Sequence, residues 1–183
     1  MMLQKVHKLF WSYEKEENWL NEMAARGMML RGYTWGTYFF EQGQPGEYVY
    51  RLELLKNLPT HPESQAYIEF LKDAEIEHVA SYLRWVYFRK KANDGPFDLY
   101  SDKSLKIKHY QRILALFGVV FSLNLFAMIM NIAIGMIQTT PDRISHNLYI
   151  ALLPAFISIC LGILCFSYIK QVRRLKKEAQ LRE

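Results

Sequence analysis

Two long uncharged runs, Ile113–Ile137 and Leu148–Ile169, dominate the pattern of apolar and polar positions, with a polar connection from Gln138 to Asn147 between them. As helices they would extend roughly 37 Å and 33 Å at about 1.5 Å per residue, each more than the ~30 Å hydrocarbon core of a bilayer. A chain this small cannot bury that much apolar length, so the pattern predicts a transmembrane hairpin and not a soluble core. Pro154 predicts a kink near the start of the second span. Ala151, Ala155, Ser158 and Gly162 recur at helical spacing there, and Asn124 and Asn131 share a face of the first span. Such features let the spans pack on each other or, as a homodimer, on a second copy of the chain.

Ahead of the spans the pattern shortens and alternates. Lys5–Trp11 reads as a strand. Ser12 stands at an N-cap, Glu14, Glu16 and Glu17 load the first turn with charge that favours the helix dipole, and Gly27 supplies the stop. Along this helix Trp19, Leu20 and Met23 form the apolar stripe, leaving Glu16, Glu22 and Arg26 for solvent. Met29–Glu41 and Glu47–Leu55 are dense in β-formers and joined by the Gly- and Pro-rich Gln42–Gly46, which predicts a hairpin. In the second run Tyr48, Tyr50, Leu52 and Leu54 share the core face, and Val49, Arg51 and Glu53 the wetter one. Thr60 and Glu63 have capping-box spacing and begin a helix from about Pro62 to Ala74. His78–Lys91 is the fourth β run, and Phe97–Tyr100 a short edge strand. The order strand, helix, strand, strand, helix, strand predicts an α+β, ferredoxin-like βαββαβ domain over residues 1–100.

Charge divides the chain in the same place. Residues 1–100 hold 12 Lys and Arg against 14 Asp and Glu, whereas residues 101–183 hold 11 against 4. The cations flank the spans: Lys103, Lys106, Lys108 and Arg112 in a basic amphipathic junction over 101–112, and Lys170, Arg173, Arg174, Lys176 and Lys177 in a basic tail over 170–183. The 138–147 connection carries only Arg143 beside Asp142. The positive-inside bias therefore predicts a two-span membrane protein, spans at 113–137 and 148–169, with both termini cytoplasmic and the connection outside. Met1–Arg112 contains no signal-peptide core. Basicity placed at these flanks points to anionic membrane lipid, each cation contributing about 1 kcal/mol, and away from nucleic acid. Cys160 and Cys165 lie five apart within a span, which excludes an ordinary disulfide framework.

Chemistry-bearing residues are dispersed. His7, His61, His78, His109 and His146 fall on different elements without ligand spacing, and neither a G-x-S-x-G elbow nor a phosphate loop occurs. Neither an enzyme nor a cofactor or metal site is expected. Arg51, Glu53 and Arg84 stand beside Tyr50, Trp85, Tyr87 and Phe88 on the predicted sheet. An arginine-and-aromatic face also suits stacked RNA, but the domain is net negative and lacks the corresponding motif, so these three residues are candidates for binding a protein partner.

The blocks Tyr13-Glu14-Lys15-Glu16-Glu17-x-Trp19-Leu20-Asn21-Glu22-Met23-Ala24-Ala25-x-Gly27, Phe40-Glu41, Pro45-Gly46-x-Tyr48-x-Tyr50-Arg51, Tyr87-Phe88-Arg89-Lys90 and Tyr100-Ser101-Asp102 resemble an uncharacterised bacterial domain-of-unknown-function family over about residues 8–110. The resemblance implies a Gram-positive protein with a membrane-spanning tail, whose gene adjoins one for a PadR-type transcriptional regulator. It brings no activity and no catalytic residue. Where similar sequences carry Gly-Trp-Glu, this chain has Glu75-Ile76-Glu77; a glycine there would serve as a left-handed cap, which Glu75 does not do cheaply. The expectation is a membrane-anchored regulatory or scaffolding module that binds a protein partner, with a ligand-binding accessory subunit as the alternative and an enzyme third.

Overall fold

The computed structural model describes residues 3–100, 103–141 and 144–180, with the side chains of Ala179 and Gln180 left aside. Ser101 and Asp102, and the loop charges Asp142 and Arg143, lie outside the described residues. The chain divides into two units, Met1–Ser101 and Asp102–Glu183.

The first unit uses one connectivity twice. Strand β1 (Gln4–His7), helix α1 (Tyr13–Ala25) and strands β2 (Met28–Thr34) and β3 (Thr37–Gln42) are followed by β4 (Tyr48–Leu54), α2 (Pro62–Asp73), β5 (Glu77–Tyr82) and β6 (Trp85–Lys91). Each half forms a three-stranded antiparallel sheet with its last strand in the middle, β1-β3-β2 and β4-β6-β5. The outer strands β2 and β5 lie beside each other.

This differs from the single ferredoxin-like sheet that the order of β runs suggests. Two of those runs are hairpins: Met29–Glu41 turns at Trp35-Gly36, and His78–Lys91 turns at Leu83-Arg84. Trp35 (φ 38°), Gly36 (φ 68°) and Leu83 (φ 53°) take left-handed backbone, which a strand-favouring bulky side chain rarely adopts. The Gln42–Gly46 stretch consequently links strands of different sheets instead of closing a hairpin. Phe97–Tyr100 forms no strand; Phe97 is buried with Leu55, Leu71, Val86 and Phe88.

Helix boundaries follow the caps. Ser12 Oγ accepts the Lys15 N–H at 3.4 Å, and Gly27 leaves α1 at φ 80°. Helix α2 is capped by His61 and not Thr60, its Nδ1 accepting the Glu63 N–H at 3.3 Å. Glu75 does take the left-handed exit, at φ 62°.

Strand β4 has β6 on one side and α1 on the other. The Asn21 amide acts as a surrogate strand there: its Oδ1 accepts the Tyr50 N–H at 2.8 Å and its Nδ2 donates to the Tyr50 carbonyl at 3.2 Å. Glu17 Oε2 takes the next inward N–H, that of Leu52, at 3.0 Å. The edge groups are thus paired with side chains and not with another strand. The second sheet is covered on both faces, with Val86 and Phe88 under α2 and Tyr50 and Tyr87 turned toward the first half of the unit.

The second unit is a helical hairpin. Helix α3 runs from Lys103 to Gln138 without interruption, 36 residues or roughly 54 Å, so the basic junction is the start of the span's own helix. The second apolar run divides into α4 (His146–Ile150) and α5 (Leu152–Gln180). The break at Ala151 precedes Pro154, which has no N–H for the Ile150 carbonyl. Both long helices are long and apolar enough to cross a membrane. Ala151 and Ser158 are buried, and a Cβ on Gly162 would lie 3.6 Å from the Phe121 ring. Small residues therefore face α3. Asn124 and Asn131 donate to the Val120 and Ala127 carbonyls of their own helix at 2.9 and 2.8 Å.

Candidate functional site

Glu16 is three residues beyond Tyr13 and four before Leu20, both buried, so helical geometry puts its carboxylate on the inner stripe of α1. It does not face solvent as the acid-rich first turn suggests. Its Oε1 accepts hydrogen bonds from Tyr38 Oη at 2.7 Å and Tyr87 Oη at 2.6 Å. Those tyrosines stand on β3 and β6, the middle strands of the two sheets. One helix side chain thereby ties together both halves of the unit.

The carboxylate has no countercharge: among the described residues no Lys, Arg or His pairs with it, and its Oε2 accepts no hydrogen bond. Burial pushes the Glu16 carboxyl above the usual carboxylate range, and the two phenol hydrogen bonds pull it part of the way back. Burial and the adjacent carboxylate raise the phenols of Tyr38 and Tyr87, which keeps them protonated as donors.

Aromatic rings line the approach. Tyr33 sits 4.7 Å from Tyr38 and 5.0 Å from Tyr87 between ring centroids, Tyr82 lies 5.7 Å from Tyr33, and Trp35 lies 6.2 Å from Tyr82. The Tyr33 hydroxyl accepts the Gly36 N–H at 3.0 Å and lies close to the phenols of Tyr38 and Tyr87. Trp35, on the β2–β3 turn, is 78% exposed, so a row of rings leads from the surface to Glu16. On the helix side Trp19 stacks edge-on to Tyr38 at 4.8 Å, and Tyr13 meets Trp85 at 5.8 Å. This arrangement offers one negative charge in a wall of π faces. Among the described residues no three metal-ligating side chains converge.

Of the residues singled out from sequence, Arg51 and Glu53 share one face of β4, and Arg84 stands apart from them. Arg51 pairs with Glu17 at 3.3 Å and lies over Phe97. Glu53 is buried, accepting the Tyr67 hydroxyl of α2 at 2.8 Å. Arg84 is in the β5–β6 turn, donating to the Lys56 carbonyl at 3.2 Å. Sequence reasoning passed over Glu16 because a helix N-terminus explains acidic residues by itself. The signal that finds it is an acid on the stripe shared by Tyr13 and Leu20.

Glu16 makes stability pH-dependent in a definite direction. A carboxyl with a raised folded-state pKa favours the folded chain fully below the ordinary carboxylate range, and that contribution is lost as pH rises through the raised value. Glu16→Gln keeps an acceptor oxygen for both phenols and removes the charge. The variant is expected to melt a few degrees above the parent at pH 8, with the gap closing as pH falls toward the ordinary glutamate range. Thermal melts from pH 5 to 8 check this; a gap that is constant with pH would exclude the charge as its source.

The model of one family, described as a protein of unknown function (DUF2812), matches residues 12–122. No curated protein and no solved structure matches the chain. The family match starts at the cap of α1, takes in every strand of the two sheets except β1 and ends within α3. It spans more than half of the sequence, and the chain belongs to the DUF2812 family.

Proposed function

We propose that this protein is a membrane-tethered regulatory module whose soluble unit takes up a small organic ligand at Glu16 and whose helical hairpin holds it at the bilayer with both termini cytoplasmic. The observation that carries the reading is the half-buried Glu16 carboxylate, without a countercharge among the described residues, at the inner end of an aromatic row. An uncompensated charge of this kind costs stability and has an evident use when a ligand completes it. Regulation of a partner, such as the PadR-type regulator suggested by the family resemblance, is the output this reading assigns. A protein-docking role is the second reading, favoured by Leu9, Trp35 and Leu83, which are 79%, 78% and 67% exposed, Leu9 beside the β2–β3 turn that carries Trp35, and Leu83 in the β5–β6 turn.

The topology is tested by single cysteines in a chain whose Cys160 and Cys165 are serine. Thr140→Cys is expected to react with an impermeant maleimide on intact cells, and Gln180→Cys only after lysis. Labelling of position 180 from outside would overturn the orientation. Ligand uptake is tested by saturable quenching of tryptophan fluorescence in the purified full-length chain.

A further inference from the structure

We propose that the end of the soluble unit formed by its two hairpin turns, with Trp35 and Leu83 at their tips, is a docking surface for the headgroups of an anionic lipid leaflet. The proposal rests on the reading of the helical hairpin as a membrane tether and adds a second, reversible contact with lipid.

Four connections meet at this end. His7 is the register partner of Thr37, and both Leu54 and Tyr82 are register partners of Trp85, so in each half the loop before the helix lies beside the hairpin turn. The Lys8 N–H donates to the Gly36 carbonyl at 2.9 Å, and the Leu55 N–H to the Arg84 carbonyl at 2.8 Å. The Trp35 ring lies 6.2 Å from that of Tyr82, the neighbour of Leu83, which joins the two halves. Among the described residues, the exposed large apolar side chains of the unit are concentrated here: Leu9, Trp11, Trp35, Leu58 and Leu83, against Leu3 and Phe70 elsewhere.

Trp35 and Leu83 hold left-handed backbone, at φ 38° and 53°, where hairpin turns ordinarily take Asn, Asp or Gly. A bulky apolar side chain at such a tip costs the fold backbone strain and leaves apolar surface in water. Entry into the headgroup layer removes the second cost.

Charge selects the occupant. Residues 8–12, 35–36, 55–61 and 83–84 contain Lys8, Lys56 and Arg84 and no Asp or Glu, in a domain whose acids outnumber its cations. The acids of the adjoining helix turns are engaged: Glu14 accepts the Ser12 hydroxyl, Glu16 accepts the phenols of Tyr38 and Tyr87, Glu17 pairs with Arg51, and Glu63 pairs with Lys56. The connections at the other end carry Glu47, Glu75 and Asp94 against Arg26. Lys8, Leu9 and Trp35 also line, with His7 and Gly36, a cavity of about 420 Å³, which sets a cation among apolar side chains. Tryptophan lodges at the headgroup level, and Lys and Arg are drawn to an anionic leaflet. A tethered surface needs little affinity of its own, because the hairpin keeps lipid at a high effective concentration. A freely diffusing protein partner gains nothing from the tether.

The test places a nitrobenzoxadiazole label on single cysteines of the full-length chain, with Cys160 and Cys165 replaced by serine, in nanodiscs whose lipids carry a nitroxide quencher. Leu83→Cys reports this end, Gln44→Cys the other end, and Ile129→Cys the first apolar run. Quenching at position 83 at least threefold that at position 44 is expected when phosphatidylglycerol is present, falling to the level of position 44 in phosphatidylcholine alone. Lys8→Glu combined with Arg84→Glu, checked by its melt, should act as removal of the anionic lipid does. If position 129 is quenched and position 83 is not, the docking inference is overturned, the tether stands, and the surface falls to a protein partner. Equal quenching of position 83 in the two lipids overturns the charge assignment and the inference with it. If position 129 also escapes quenching, tether and docking fail together. The comparison of positions and lipids decides the matter even if the charge-reversed variant does not fold.

Discussion

Tyr50→Ala is expected to cost the soluble unit about 3–5 kcal/mol, the range for deleting a large buried ring. Tyr50 is fully buried at the inner side of β4. Its hydroxyl accepts the Leu30 N–H at 3.0 Å. The pairing of β2 with β3 shifts between Leu30 and Gly32, where Arg31 is the extra residue, and a bulge of this kind releases a backbone group from the ladder. Tyr50 therefore joins the two halves through packing and through one N–H that a bulge sets free. Tyr50→Phe separates the two contributions. It keeps the ring and orphans the Leu30 N–H, which should cost about 1–3 kcal/mol. Denaturant midpoints followed by tryptophan fluorescence measure both. A phenylalanine variant as stable as the parent would mean that water reaches the bulge and that the ring accounts for the whole effect.

Much of the fold was legible wherever a local signal has one physical meaning. The length and lack of charge of the two apolar runs, the Ser12 cap, the Gly27 stop and the alternation of Tyr50, Leu52 and Leu54 were of this kind. The two hairpins were hidden because the left-handed positions belong to Trp35, a strand former, and Leu83, a bulky apolar residue, neither of which signals a turn. Only Gly36 marks either turn, and Leu83-Arg84 has no turn residue. Without those turns each pair of strands reads as one long strand, and six strands become four. The wetter face predicted for Arg51 and Glu53 was concealed in a different way. Burial of Glu53 depends on Tyr67, which is distant in sequence and comes to β4 only when α2 folds over the sheet. The same limit applied to Glu16, whose tyrosine partners are contributed by strands 22 and 71 residues further along the chain.

Arg89 and Glu77 should respond unequally to removal. They are register partners on β6 and β5; Arg89 Nε and Nη2 donate to Glu77 Oε2 at 2.7 and 2.6 Å, and the guanidinium lies 4.1 Å from the Tyr48 ring centroid. The side chain of Arg89 is 9% exposed and that of Glu77 50%. Burial works against the charge on Arg89, but the hydrogen bonds and charge of Glu77 more than offset it. Glu77→Ala leaves a buried guanidinium without a countercharge partner, beside the Tyr48 ring and the Tyr50 hydroxyl, and a cost of about 3 kcal/mol is expected, the lower end for breaking a buried pair. Arg89→Met instead removes the buried charge and leaves a carboxylate that water can reach, so about 1 kcal/mol is expected. In the Arg89→Met background, adding Glu77→Ala should change stability by no more than about 0.5 kcal/mol, the scale of surface substitutions. Chemical denaturation of the four proteins completes the cycle. Equal costs for the two single variants would show that the pair behaves as a surface ion pair. The register it holds sets Tyr87, two residues before Arg89, opposite Ala80 of β5, so Glu77→Ala should also loosen the donor to Glu16 and weaken whatever ligand the site takes.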